Sequence, residues 1–146
     1  MTSWDRFEAG LAEQLAELPA GALVVIETRV DTELGLAQFA QYEDKLVAEL
    51  GAAGDLDEGA EPNMPGALLA SAAGWHRPDQ TDHYNWWVEL PWPITTDIYR
   101  ALAAMAVTGL RDVFHVSSPT RLVYRAWNSS LGNRDLDLPR LGIDRQ

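Results

Sequence analysis

His76, Asp79, Asp82 and His83 fall within one eight-residue stretch, and imidazole beside carboxylate is side-chain chemistry that binds zinc or passes a proton. The spacing argues against that use. Metal-binding pairs on a helix stand three or four residues apart on one face, whereas His76 and His83 are seven apart with Pro78 between them. The stretch reads as a solvated loop, and a small metal-dependent hydrolase built on His76, Asp79 and His83 is the alternative. A second acidic cluster, Asp55, Asp57, Glu58 and Glu61, invites a calcium test. Counted from Asp55, the glycine that an EF-hand needs at its sixth position stands at the fifth, and the twelfth is Gly66 instead of glutamate. Residues 51–63 therefore read as an acidic, solvated loop. His115 ends a helical stretch, where a cation suits the helix dipole.

No Gly-x-Ser-x-Gly elbow, glycine-rich phosphate loop or His-Glu-x-x-His is present. Ser117 and Ser118 follow His115, but neighbours in sequence do not make a catalytic arrangement. The expectation is a protein without catalytic activity, cofactor or metal.

The densest feature is residues 74–93, GWHRPDQTDHYNWWVELPWP, which hold four of the six tryptophans. A buried aromatic ring removes about 150–250 Å² from water, so either the core or a partner covers these rings. Trp86 and Trp87 are adjacent and on a strand would point to opposite faces, one inward and one outward. Trp92 between Pro91 and Pro93 sits in a stiff segment lacking two amide donors. Trp75, Trp86, Trp87 and Trp92 are thus candidate contacts for a protein partner, with a role in covering the sheet as the other reading.

The chain has 146 residues, 47% of them hydrophobic, enough for one domain with its own core. Its net charge of −11 repels phosphate backbones and anionic lipid, which disfavours nucleic acid and membrane surfaces and favours a basic or amphipathic protein segment as partner. Cysteine is absent, excluding disulfides and thiolate chemistry. Asp5, Arg6 and Glu8 interrupt any apolar leader, and no run is long enough to span a bilayer. The expected location is the cytoplasm.

Trp4, Phe7, Leu11, Leu15 and Leu18 recur at three- and four-residue steps and predict an amphipathic helix over residues 3–18. Residues 22–28 are apolar on both alternating sets, which predicts a central strand covered on both faces. With strands over 34–42 and 45–50 they make an antiparallel meander. A short helix is expected over 64–73, ended by Gly74, with Trp75 closing over it. The longest helix is expected over 94–115, with one stripe of Ile98, Leu102, Met105, Gly109 and Val113 and a second of Tyr99, Ala103, Ala106, Leu110 and Phe114. Residues 119–127 carry both a helix-start signal, Ser118-Pro119, and strand-like alternation, and are read as a strand. The last residues are polar with a sparse apolar pattern in Leu136, Leu138, Leu141 and Ile143. The layout is one domain over 1–128 and a tail over 129–146, flexible or docked as an added strand.

This order of helix, three-strand meander, short helix, aromatic segment and long helix resembles the TY-Chap group, whose fold is shared by type III secretion chaperones and YbjN proteins. The resemblance rests on Trp4-Asp5-Arg6-Phe7, Ala37-Gln38-Phe39-Ala40-Gln41, Gly74-Trp75, Asn85-Trp86-Trp87-x-Glu89-Leu90-Pro91-Trp92-Pro93 and Leu110-Arg111-Asp112-Val113-Phe114-His115-Val116. It implies an α+β fold with an N-terminal and a long C-terminal helix packed on an antiparallel sheet, homodimerisation and no catalysis. Secretion chaperones of similar fold are small acidic dimers that hold an extended client segment against their sheet and helix surface. The acidic loop over 51–63 departs from the pattern, being longer. The resulting expectation is a non-enzymatic, chaperone-like module for an extended or amphipathic protein segment. Main-chain contacts at a sheet edge would give affinity, and aromatic pockets would give selectivity. A structural subunit of a larger assembly is a further alternative.

Overall fold

The computed structural model describes residues 3–28, 36–51, 64–78 and 85–146. The Ser3 hydroxyl accepts the Arg6 N–H at 3.2 Å, satisfying one of the donors a helix start leaves open. Helix α1 follows over Trp4–Ala16. Its three- and four-residue apolar step becomes a buried face of Phe7, Leu11 and Leu15.

Strands β1 (Ala22–Thr28), β2 (Leu36–Gln41) and β3 (Lys45–Gly51) form the expected antiparallel meander. The start of the strand read over 34–42 and all but the first residue of the acidic loop lie outside the described residues. So do Asp79, Asp82 and His83. Helix α2 (Met64–Ala73) matches its expected span, and β4 (Trp86–Pro91) then pairs antiparallel with β3 at one side of the sheet.

Helix α3 covers Thr96–Val107, with Thr95 at its N-cap position but making no side-chain capping bond. The sequence predicts one α-helix through residue 115. Instead the chain widens into a π-helical turn over Thr108–Val113, where the Phe114 N–H bonds to the Gly109 carbonyl at 2.9 Å. The cause lies at Gly109, which sits against Leu50 so closely that an added Cβ would stand 2.4 Å from a Leu50 methyl. One extra residue in the turn lets the main chain pass that side chain. The two expected stripes are unequally buried as well. Tyr99, Ala103, Ala106 and Leu110 face the core together with Leu102, whereas Ile98 is 42% exposed.

Both signals read at residues 119–127 are realised in succession. The Ser118 hydroxyl caps a 3-10 turn over Pro119–Arg121, and β5 follows over Leu122–Asn128. β5 pairs with β1 along its whole length. The sheet order is β4-β3-β2-β1-β5.

β1 is central, as expected, but among the described residues helices cover only one of its faces. Ala22, Val24 and Ile26 join the core, while Leu23 and Val25 remain half-buried on the other side. The same alternation runs through β2 and β3. Apolar residues on both faces signal a strand with a second apolar neighbourhood, and that neighbourhood here is an open face.

Past Asn128 the chain makes a 3-10 turn (Ser129–Leu131), the two-residue strand β6 (Arg134–Asp135), another 3-10 turn (Pro139–Leu141) and β7 (Asp144–Arg145). β6 pairs antiparallel with the end of β5 and β7 pairs parallel with its start, so both lie on the outer edge of that strand. Leu138 and Leu141 enter the core. The Tyr124 hydroxyl accepts the Leu138 N–H at 3.0 Å and donates to Asp137 at 3.1 Å. Burial pushes the Tyr124 phenol above its ordinary value of 10.0, the Leu138 N–H works against the rise, and the Asp137 carboxylate adds to it.

A neutral phenol is therefore favoured in the folded chain. The stability it contributes is complete below about pH 10 and is lost as pH rises through the elevated folded value. Urea titrations from pH 8 upward should show wild type ahead of Tyr124→Phe by about 1 kcal/mol at the low end, with the gap closing at high pH. A gap that does not change with pH would refute this role for the hydroxyl. In the core, Gly109→Ala should cost about 1–3 kcal/mol by overpacking, despite alanine's better helix propensity. An unchanged urea midpoint would show that Leu50 moves aside freely.

Candidate functional site

The four tryptophans singled out in the sequence part company. Trp75 is buried beyond the C-terminus of α2, its N–H on the Ala70 carbonyl and its indole Nε1 donating to the Met105 carbonyl at 3.0 Å. Trp86 also points into the core, with the Arg77 guanidinium 5.6 Å from its ring centre. Trp87, one residue on, turns to the opposite face and stays half-buried, its Nε1 donating to the Arg77 carbonyl at 3.1 Å. Trp92 is half-buried after β4, its main-chain N–H on the Asp44 carbonyl at 3.0 Å.

His76 serves the sheet. Its main chain exchanges two hydrogen bonds with Trp87, at 2.9 and 3.1 Å, and its ring lies 4.7 Å from the Trp87 ring. Among the described residues no group of three or more histidine, aspartate or glutamate side chains is placed to hold a metal ion. Two charged groups with shifted acidity form a surface pair. Arg111 donates to both Asp112 oxygens, at 2.9 and 3.0 Å, and these bonds hold the carboxyl below its ordinary value and the guanidinium above its own.

The sheet edges offer little main chain. On β5 the outer edge carries β6 and β7. On β4 antiparallel alternation turns Trp87, Glu89 and Pro91 outward. Trp87 is taken by His76, and Pro91 has no N–H to give. Glu89 alone presents both groups outward, which is too little to seat a strand.

The open face of the sheet is different. Trp127, Leu23, Ala40 and Val47 stand directly opposite one another across β5, β1, β2 and β3, and each is half-buried. They floor a shallow depression of about 190 Å³, also lined by Val25, Gln38, Glu49 and Tyr42. Tyr42 is 49% exposed. Two ion pairs lie on this face, Arg125 with Glu27 and Lys45 with Glu89, each at 3.6 Å, and the Gln38 amide donates to the Glu49 carboxylate at 2.7 Å. Such pairing leaves the middle row apolar. Reasoning from the sequence missed this row because Leu23 and Val25 read as core, although the apolar alternate set of β1 was the available signal.

An antiparallel sheet with helices packed on it is the architecture implied by the motif resemblance, and comparison with protein families decides the matter. The model of TY-Chap3, described as T3SS (YopN, CesT) and YbjN peptide-binding chaperone 3, matches residues 1–128. The chain belongs to this family. No curated protein and no solved structure matches it. TY-Chap3 membership makes the relevant chemistry that of peptide binding, and the match ends at the last residue of β5. No helix among the described residues is long and apolar enough to cross a membrane.

The division of the rings has a measurable consequence. Trp86→Ala should cost about 3–5 kcal/mol, as expected for a buried aromatic, and Trp92→Ala less than half of that. Equal costs in urea titration would contradict the assignment of one ring to the core and the other to the surface.

Proposed function

We propose that the protein is a non-enzymatic, chaperone-like module that takes an extended or amphipathic segment of a client protein on the open face of its sheet. The observation that carries this reading is the apolar row Trp127, Leu23, Ala40 and Val47, half-exposed across four strands and bordered by the Arg125–Glu27 and Lys45–Glu89 ion pairs. A client lying across the row would bury its own apolar side chains against these four. Tyr42 and Trp87 flank it and would grip the segment's ends, as amphipathic rings commonly do. The net charge of −11 draws basic segments and repels acidic ones, setting encounter rate and selectivity more than final affinity. Trp75 and Trp86 would support the site from within, and Trp92 would border it. Homodimerisation is part of the proposal, to be read from molar mass in solution with and without client.

Docking on the face suits this sheet better than strand addition at its β4 edge, where Glu89 is the one residue with both groups turned outward. A metal-dependent hydrolase finds less support, since the ring of His76 packs at a tilt against Trp87.

The test is an array of short peptides probed with wild type and with a Val47→Asp, Trp127→Ala variant of matched thermal stability. Wild type should select segments rich in leucine, valine or phenylalanine with interspersed lysine or arginine. The variant should bind them at least about tenfold more weakly, a loss of about 1.4 kcal/mol. An identical bound set for both proteins would remove the open face as the site.

A further inference from the structure

The way residues 134–146 are held has the features of ligand recognition. Gly10 of α1 has no side chain where the Arg140 carbonyl passes, and a Cβ there would stand 1.8 Å from that oxygen. Four residues on, the buried Gln14 side chain accepts the Arg140 N–H at 2.9 Å. The Arg140 guanidinium reaches Glu13 at 3.7 Å and also pairs with Glu17. On the other side, β5 supplies main chain: the Ala126 carbonyl accepts the Leu136 N–H at 2.9 Å, and the Tyr124 carbonyl accepts the Gln146 N–H at 2.8 Å. Between helix and strand, Leu138 and Leu141 fill apolar slots, and the Tyr124 hydroxyl reads the main chain at Leu138. Ladder bonds for affinity, pockets for alternate side chains and a charged pair for register are how an extended peptide is recognised at a strand edge.

Gly10, Glu13, Gln14, Glu17 and Tyr124 all lie within the family match, which ends at residue 128, whereas the tail lies beyond it. The tail is neutral, with three arginines and three aspartates, so the residues before it carry the whole net charge of −11. Beside Arg140 a depression of about 310 Å³ between α1 and α3, lined by Ala12, Ala16 and Tyr99, continues the groove past its occupant.

We propose that the groove between α1 and the outer edge of β5 is a second peptide site, that it takes segments of the pattern leucine-x-leucine-proline-arginine-leucine, and that residues 134–146 fill it in cis as a displaceable ligand. Its partner is a leucine-rich segment of another protein with an arginine placed to meet Glu13 and Glu17. The groove borders the open face at Trp127, which pairs with Asp135, and the two proposals are tested by different variants.

The test begins with the folded full-length chain carrying a protease recognition sequence inserted after Gly132, where the turn is exposed and the space around the glycine is open. After cleavage the tail fragment should co-elute with the body. A labelled peptide of residues 134–146 should then replace it, seen as a rise in fluorescence anisotropy. An Arg140→Glu peptide, with attraction to two carboxylates turned to repulsion, should compete about tenfold more weakly. A cleaved Gly10→Ala chain, whose helix keeps its propensity but whose groove is blocked, should take up no peptide. A body that unfolds on cleavage, a tail that excess peptide never exchanges, or equal competition by the Arg140→Glu peptide would each overturn the proposal.

Discussion

A strand turns successive side chains to opposite faces, and the described helices of this chain cover one face of its sheet. The rest of the molecule follows from that imbalance. Phe7, Leu11 and Leu15 of α1 and Leu102, Ala106 and Leu110 of the later helical segment belong to the same core as Val24, Phe39 and Ala48. Leu23, Ala40 and Val47, their neighbours in sequence, point the other way and stay half-exposed. A second helical layer would have made them core. With none among the described residues, the sheet keeps an apolar surface ordered by the rigidity of its covered side.

Rigidity on the covered side depends on close approaches as much as on burial. Leu50 occupies the space where Gly109 has no side chain, and the π-helical turn accommodates the passage. Gly10 plays the matching part at the other end of the core, where the Arg140 carbonyl comes within reach of α1. In both places a missing side chain, an unfavourable choice by helix propensity alone, brings two segments together and fixes how the sheet and the last residues meet the helices.

Much of this was legible in the sequence because periodicity reports burial directly. The step Phe7, Leu11, Leu15 located α1, and the span of β1 was read to the residue. The one-in, one-out placement of Trp86 and Trp87 followed from their adjacency. What was not legible depended on partners distant in the chain. The end of α3 is set by contact with Leu50, over fifty residues earlier, so an unbroken apolar pattern through Gly109 looked like continuous helix. The half-exposure of Leu23 and Val25 depends on which face the described helices cover, and no local window contains that choice. At residues 119–127 a cap signal and an alternating pattern competed in the reading, whereas the chain uses them in turn, cap first and strand after. The family resemblance supplied the architecture but no binding residues, and it reached only as far as the motifs it rested on.

Strand edges are where β-proteins polymerise, and the two flanks of this sheet are closed by different means. The tail seals one. On the other, the His76 bridge and Pro91 leave Glu89 with the one outward pair of main-chain groups among the described residues of β4, and its carboxylate brings charge into any approaching strand. A single residue cannot template a ladder. A member of a peptide-binding chaperone family is thereby kept from seeding cross-β growth in copies of itself.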